Sequence, residues 1–347
     1  MTRAIGLYVH VPFCRIKCAY CRFYSVEYNK IAASNFAEAV IRNVLDFTKR
    51  EHTVYDTVFF GGGTPSLLYA QIADIMRHVP LTEGAEVTVE CNPCDVDSSM
   101  LQTLADAGVN RLSIGVQSLD DTQLRRLGRR HDARTAVAAV RQAADSKRFG
   151  ALSVDVMLGV PGQTRDSLLD TLESVRQLPV THISAYIYEP NVLEDDEVAE
   201  LYLAAVEYLK RQGFYQYEIS NFDYFADSKC RHNLKYWRCE EYVGIGPSAH
   251  SCYGGRRFAV PDDVDLFIRA PIQETFVTEP QACTRDERLM LGLRLCEGVT
   301  ADSQLLERAR AIPPELLNIT HVGEEFNVSL TARGFLVSNQ VIGALLS

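Results

Sequence analysis

Three cysteines stand close together near the start of the chain. Cys14, Cys18 and Cys21 form C-x3-C-x2-C within His10-Val11-Pro12-Phe13-Cys14-Arg15-Ile16-Lys17-Cys18-Ala19-Tyr20-Cys21. Three thiolates at that spacing can share one metal centre, and soft sulfur ligands select iron-sulfur clusters, zinc or copper(I). A structural zinc takes four protein ligands, and Phe23 and Tyr24 stand where a nearby fourth would be expected. A cubane of four irons usually takes four cysteines, so three leave one iron open to a substrate or cofactor. Buried thiols, or a zinc with a distant fourth ligand, are the alternatives.

Other groups that could do chemistry fall at the ends of apolar runs. Gly61-Gly62-Gly63-Thr64-Pro65-Ser66 is a glycine-rich turn that lets a ligand approach the backbone and leaves amides free. Glu90 closes Val89-Glu90, Gln117 follows Gly115-Val116, Asp155 lies in Val154-Asp155-Val156, and Arg129 lies in Leu127-Gly128-Arg129-Arg130-His131. Each alone also reads as a turn or a capping group. Cys91 and Cys94 form a further C-x2-C pair, read either as incidental thiols near a pocket mouth or as a redox or cluster-supporting pair.

The elements that must carry these residues alternate. Short β-branched and aromatic runs at Ile5–Phe13, Thr57–Phe60, Glu86–Glu90, Arg111–Val116, Leu152–Val160 and Ile183–Tyr188 predict strands. Between and after them, Ala32–Lys49, Leu67–Arg77, Ser98–Ala107, Asp120–Ala144, Ser167–Gln177 and Asp196–Gln212 carry apolar residues at helical spacing. Strand then helix, six times over, specifies an α/β fold with a parallel sheet, closed as a barrel or left open. The polar motifs follow the strands, the edge on which α/β barrels build active sites. After about Tyr253 the rhythm changes: an amphipathic helix over Arg285–Leu295 precedes a tail, Val328–Leu346, with alternating strand and turn signals. The expected organisation is a barrel over 1–255 and a small α+β, winged-helix-like accessory domain over 256–347.

The chain has 347 residues, enough for about two domains and a large core. Its 35 basic and 45 acidic residues give a formal charge of −10, without the basic excess usual in a nucleic-acid binder. Ten cysteines with no N-terminal apolar leader point to a reducing compartment, and no stretch reaches the length of a membrane span. A cytoplasmic protein is expected.

The cysteine spacing resembles that of the radical S-adenosylmethionine (SAM) superfamily. In that superfamily the open iron of a 4Fe-4S cluster chelates the methionine moiety of SAM, and one electron cleaves the sulfonium to a 5′-deoxyadenosyl radical. The resemblance implies a partial (β/α)6 TIM-type barrel, cluster ligation by Cys14, Cys18 and Cys21, and SAM contacts at Tyr8, Tyr20, Gly62, Gly63, Thr64, Glu90, Gln117, Arg129 and Asp155. Tyr8-Val9-His10-Val11-Pro12-Phe13-Cys14 with Ala19-Tyr20-Cys21-Arg22-Phe23 is similar to the oxygen-independent coproporphyrinogen oxidase group. The decarboxylating oxidases carry a further cysteine where this chain has Phe23, which matches the heme chaperone branch, HemW. His232-Asn233-Leu234-Lys235-Tyr236-Trp237 and Tyr242-Val243-Gly244-Ile245-Gly246-Pro247-Ser248-Ala249-His250-Ser251 are similar to the HNxxYW and LGIGxxAHS signatures of that branch. A histidine can ligate heme iron and Tyr236 and Trp237 can stack on a macrocycle, so His232, or else His250, is expected at the heme; a hydrogen-bonded core histidine is the competing reading of His232. Pro247-Ser248 and a short loop after Glu189-Pro190-Asn191 depart from the pattern on the porphyrin side.

The resemblance implies a heme-binding protein that delivers heme to acceptor proteins. The alternatives are a coproporphyrinogen oxidase or another radical enzyme acting on a porphyrin, and a radical enzyme on an unrelated small substrate. Expected partners are heme, a heme-accepting protein and an electron donor to the cluster, with homodimerisation and peripheral contact with membrane partners as further expectations, and no nucleic acid.

Overall fold

A computed structural model describes residues 3–188, 194–224 and 228–347. β1 (Arg3–Val11), β2 (Thr53–Gly62), β3 (Leu81–Cys91), β4 (Arg111–Gln117), β5 (Ala151–Leu158) and β6 (His182–Ile187) lie side by side in that order, each parallel to the next. Helices α1 (Lys30–Glu51), α2 (Tyr69–Met76), α3 (Ser98–Asp106), α4 (Asp121–Arg126), α5 (Ala133–Asp145), α6 (Arg165–Arg176) and α7 (Asp195–Arg211) connect and follow the strands. Side chains of Asn29, Asp97, Asp120, Asp132 and Thr164 accept backbone N–H bonds at the starts of α1, α3, α4, α5 and α6, which fixes where those helices begin.

The six expected repeats are present, and a seventh parallel strand, β7 (Tyr242–Ile245), joins the free side of β1. The short strand Asn221–Asp223 pairs antiparallel with β6 at the other side. The sheet has two separate edges and is an open, partial barrel. Helix α8 (Arg231–Trp237) packs at the N-terminal ends of β2 and β3. The Arg231 guanidinium donates to the Gly84 and Asp56 carbonyls at 2.8 and 3.2 Å. The Glu86 carboxylate accepts from the Arg231 and His232 amides at 3.1 and 3.0 Å, closing the first turn. Lys235, almost fully buried, pairs with Asp56 at 2.9 Å and Glu240 at 3.1 Å.

Three differences from the sequence reading have local causes. The single helix expected over Asp120–Ala144 is two, because Gly128 takes φ +68° after α4 and Asp132 starts α5. Arg129 therefore stands in a break between helices rather than on one. The tail is helical beyond Thr331, over Ala332–Leu336 and Ser338–Leu346: the Thr331 hydroxyl accepts from Gly334 N–H, and Val341, Ile342 and Leu345 bury one face. The division expected at 255/256 falls in the turn between strands His250–Tyr253 and Arg256–Ala259, both of which extend the large sheet, as does Phe276–Glu279. A separate three-stranded sheet forms from Val299–Ala301, Leu317–Val322 and Glu325–Leu330. With helices Arg285–Gly292 and Ser303–Arg310, the order helix, strand, helix, hairpin is winged-helix-like. The apolar core runs without a break from the barrel into this unit through Leu305, Val328 and Leu345.

Candidate functional site

The cysteine loop is held at both ends by β1 and its neighbours. Phe13–Cys14 pairs with Val26–Glu27 and encloses the loop. His10 on β1 has its Nε2 2.9 Å from the Tyr24 carbonyl, which requires the proton on Nε2, and its Nδ1 accepts from the Tyr8 hydroxyl at 3.0 Å. The glycine turn after β2 grips the other side: Gly63 N–H donates to Val11 at 2.7 Å and Thr64 N–H to Phe13 at 2.8 Å. A Cβ on Gly63 would lie 2.7 Å from the Phe13 carbonyl, so only glycine fits. The Thr64 hydroxyl is 3.4 Å from Cys14 Sγ, and Arg129 Nη1 is 3.8 Å from Cys18 Sγ. All three cysteines are half-exposed and none is in a disulfide. Their sulfurs do not gather within 4.8 Å of one another, as ligands of a single ion would. The wider spread suits a multi-iron cluster, whose corners carry one ligand each.

The loop opens onto a cavity of about 1000 Å³ at the C-terminal ends of the strands. Tyr8, Tyr20, Gly62, Gly63, Thr64, Glu90, Gln117, Arg129 and Asp155 all line it, together with Cys21. These nine residues come from seven separate points along the chain and converge on one cavity. Glu90 Oε2 accepts from Gly62 N–H at 3.1 Å, and Ser113 donates to Asp155 at 3.1 Å. Burial, with the Asp155 charge adding to it, pushes the Glu90 carboxyl up to about 8. Burial also raises Asp155 above its ordinary range, with its hydrogen bonds to Ser184 and Ser113 and the Arg129 charge opposing. Arg129 donates to the Gly115 carbonyl at 2.9 Å. Two buried polar atoms on this wall lack a partner, Gln117 Oε1 and Arg129 Nε, and Gln117 holds a left-handed φ of 68°. An orphaned acceptor and donor at a strained strand end fit a site whose ligand supplies the missing bonds.

Several lining residues escaped the sequence reading although their signal is simple. Arg111 and Ser113 on β4, Ser153 and Met157 on β5, and His182, Ser184 and Tyr186 on β6 face the cavity beside the expected Gln117 and Asp155. They occupy alternate positions, and the other face of each strand is apolar. A parallel strand buried on both faces should read as a continuous apolar run, so polar residues at every second position mark a polar lumen. Cys91 also reaches the wall, where burial raises its thiol far above the ordinary range, whereas Cys94 is exposed.

The expected heme residues separate. His232 is fully buried, with Nδ1 2.8 Å from the Thr57 hydroxyl and Nε2 2.8 Å from the Tyr236 hydroxyl, and its ring stacks on Phe59. Burial lowers it to about 3, so the ring is neutral. It lies under the cavity and is not part of the lining; as placed, both nitrogens are occupied, and the competing reading of a satisfied core histidine describes it. Tyr236 and Asn233 do line the cavity. Trp237 packs instead with Tyr217, Leu234 and Leu295 and bonds to Glu218. His250 is exposed where it lines the cavity, as is Phe23, and the half-buried Ser248 is among the other lining residues. Residues 189–191, expected to start a short porphyrin-side loop, lie outside the described residues.

Comparison with known proteins agrees with this geometry. Residues 8–175 match the model of the radical SAM superfamily. The chain is 32% identical to heme chaperone HemW of Bacillus subtilis over 98% of both chains. It is 30% identical to heme chaperone HemW of Lactococcus lactis, covering 85% of this chain and 83% of that one. Radical S-adenosyl methionine domain-containing protein 1, mitochondrial, of Bos taurus is 36% identical over 85% of this chain and 74% of its own. In fold, coproporphyrinogen III oxidase (HemN) of Escherichia coli superimposes with a TM-score of 0.81 over 99% of this chain and 90% of that one, at 20% identity. With 32% identity to the Bacillus subtilis HemW along nearly the whole chain, and with the cysteine loop set at the mouth of an open barrel, the chain belongs to the radical SAM superfamily and, within it, to the HemW family.

Proposed function

We propose that this protein binds heme and delivers it to heme-accepting proteins, using a cavity that also holds SAM beside a 4Fe-4S cluster on Cys14, Cys18 and Cys21. The observation that carries the reading is the convergence of nine residues from seven points of the chain, with the cysteine loop, on one cavity of about 1000 Å³. Its size is at the top of the ~300–1,000 Å³ range of small-molecule sites, room for more than one compact ligand. When bound, the cluster and SAM supply one-electron cleavage at the sulfonium.

The chain's own residues bind and orient. Gly62 and Gly63 keep the backbone open beside the loop, and Glu90 and Asp155 offer a buried carboxyl pair that accepts hydrogen bonds. Glu90 holds a proton near neutral pH until a cationic or donor group arrives. Gln117 Oε1 and Arg129 Nε supply an acceptor and a donor that have no other partner. Phe59 and Tyr8 pack over His232 and keep water from the floor. Heme sits at the rim, where the exposed His250 imidazole and the exposed Phe23 ring flank the cavity. His232 acts as a floor residue that locks Tyr236. A reduced cluster needs an electron donor and a reducing surrounding, in keeping with a cytoplasmic place, and among the described residues no helix is long and apolar enough to cross a membrane.

Phe23 argues against the oxidase reading, because the further cysteine of the decarboxylating enzymes is replaced by an apolar ring. Heme titration of the cluster-loaded protein tests the assignment. Binding near one heme per chain is expected, with the Soret band shifted and affinity reduced at least tenfold in His250→Ala. His232→Ala is expected to lower stability while keeping the Soret position. The reverse pattern would return the ligand role to His232, and no stoichiometric binding would remove the heme reading.

A further inference from the structure

A second set of cysteines, far from the cavity mouth, lies close enough to hold a single ion. Cys239 follows α8, Cys252 lies on the strand antiparallel to β7, and Cys283 precedes the helix that carries Glu287. Cys239 Sγ, Cys283 Sγ and a Glu287 carboxylate oxygen all lie within 4.8 Å of one another, the sole group of this kind among the described residues. Cys252 Sγ stands outside that group, beyond 4.8 Å from Cys239 Sγ, but is 3.6 Å from Cys283 Sγ. Tetrahedral zinc with Zn–S bonds of about 2.3 Å places its sulfurs roughly 3.8 Å apart, close to that separation. Cys239 and Cys252 are buried, and Cys239 and Cys283 hold left-handed φ values of 52° and 60°, which turn the two loops toward each other.

We propose that Cys239, Cys283 and Glu287 hold a structural zinc ion and that Cys252 closes the site when its side chain turns from Cys283 toward the ion. Three soft sulfurs and one harder oxygen suit zinc better than copper(I), which favours sulfur throughout. Three thiolates and a carboxylate around a divalent ion leave excess negative charge. Arg257, whose Nε is 2.6 Å from Glu287, and Arg288, whose Nε donates to the Cys283 carbonyl at 3.0 Å, offset it. The four ligands come from three separated segments, so the ion staples the end of α8 and the last part of the large sheet to the helix that opens the accessory unit. It also reaches the cavity indirectly: Cys239 N–H donates to the Tyr236 carbonyl at 3.3 Å, and Arg257 donates to the hydroxyl of Tyr242, another lining residue, at 3.3 Å.

The test must separate this site from the cysteine loop, which can itself take up zinc. The full chain is prepared anaerobically with reductant, supplied with zinc, desalted and assayed for metal, alongside a variant with Cys14, Cys18 and Cys21 all changed to Ala. The triple variant should retain about one zinc per chain and the wild type at least as much, and Cys283→Ser in the triple-variant background should fall to background level. Cobalt(II) added to the triple variant should give the intense sulfur-to-cobalt charge-transfer bands of tetrahedral thiolate ligation, a readout needing no change at the site. Glu287→Gln should keep those bands and weaken retention. Zinc lost on desalting from the triple variant, zinc unchanged by Cys283→Ser, cobalt without charge-transfer bands, or a Cys252–Cys283 disulfide under reductant would each overturn the proposal.

Discussion

The chain carries two sets of three cysteines, and they are built in opposite ways. Cys14, Cys18 and Cys21 share one loop, are half-exposed at the mouth of the barrel, and keep their sulfurs apart. Cys239, Cys252 and Cys283 come from three segments; Cys239 and Cys283 lie together with the Glu287 carboxylate, Cys252 stands beside Cys283, and Cys239 and Cys252 are buried. Ligands on one short loop cannot wrap a metal centre, so one side stays open toward the cavity and its unpartnered Gln117 and Arg129 atoms. Ligands from three directions enclose an ion and leave no position for a substrate. Proximity in sequence goes with chemistry here, and proximity only in space goes with architecture.

The largest effect that could break this contrast is at the loop. Cys18→Ala should abolish the 4Fe-4S chromophore of the reconstituted protein and leave the zinc content unchanged. An intact visible spectrum would end the assignment of the loop, and loss of both metals would merge the two sites.

Chelation is the next test. Removing the second metal should lower the thermal midpoint by several degrees in the wild type and equally in the triple loop variant, following the mass-action link between a bound ligand and stability. An unchanged midpoint would mean that this set does not staple the fold.

A titration sharpens the cavity side of the comparison. Glu90 titrates near 8 in the ligand-free protein against an ordinary value of 4.5, because of burial. The native state therefore holds a proton that the unfolded chain releases above about pH 5. Stability contributed by this group is present below that pH and is lost as pH rises toward and past 8. Glu90→Gln should flatten this decline by a few kcal/mol between about pH 5 and 8 in denaturant titrations. A slope equal to the wild type's would show that other groups carry it.

Smaller effects are expected where only placement or surface charge changes. Gly63→Ala pushes a methyl against the Phe13 carbonyl and should cost roughly 1–3 kcal/mol, read as lower cluster yield in a folded protein. Arg285→Ala removes the exposed pair with Asp302 at the edge of the stapled helix and should cost less than about 1 kcal/mol, with zinc retained.

Much of the barrel was legible because its signals are local. Short β-branched and aromatic runs marked the strands, the expected helices begin within about two residues of real helix starts, and the residues nominated for SAM all line one cavity. The break at Gly128 was missed because the apolar spacing of α4 and α5 continues through it. It became visible only as a positive φ, and it decides where Arg129 sits. The HNxxYW segment shows the limit of a motif: spacing names the residues on α8 but not which way each points. His232 is turned into the packed floor by Thr57 and Tyr236, while Asn233 and Tyr236 meet the cavity. The polar alternation on β4 to β6 was readable from the sequence. The second cysteine set was not, because the wide separation of positions 239, 252 and 283 carries no ligand pattern.

The central claim is that this barrel carries heme rather than making its precursor. It is tested most directly by incubating the cluster-loaded, SAM-supplied protein anaerobically with coproporphyrinogen and a strong reductant, and separating the porphyrins after oxidation. A heme carrier should yield coproporphyrin alone from a sample that still binds about one heme per chain. Vinyl-bearing porphyrin formed over many turnovers would contradict it and make the protein an oxidase.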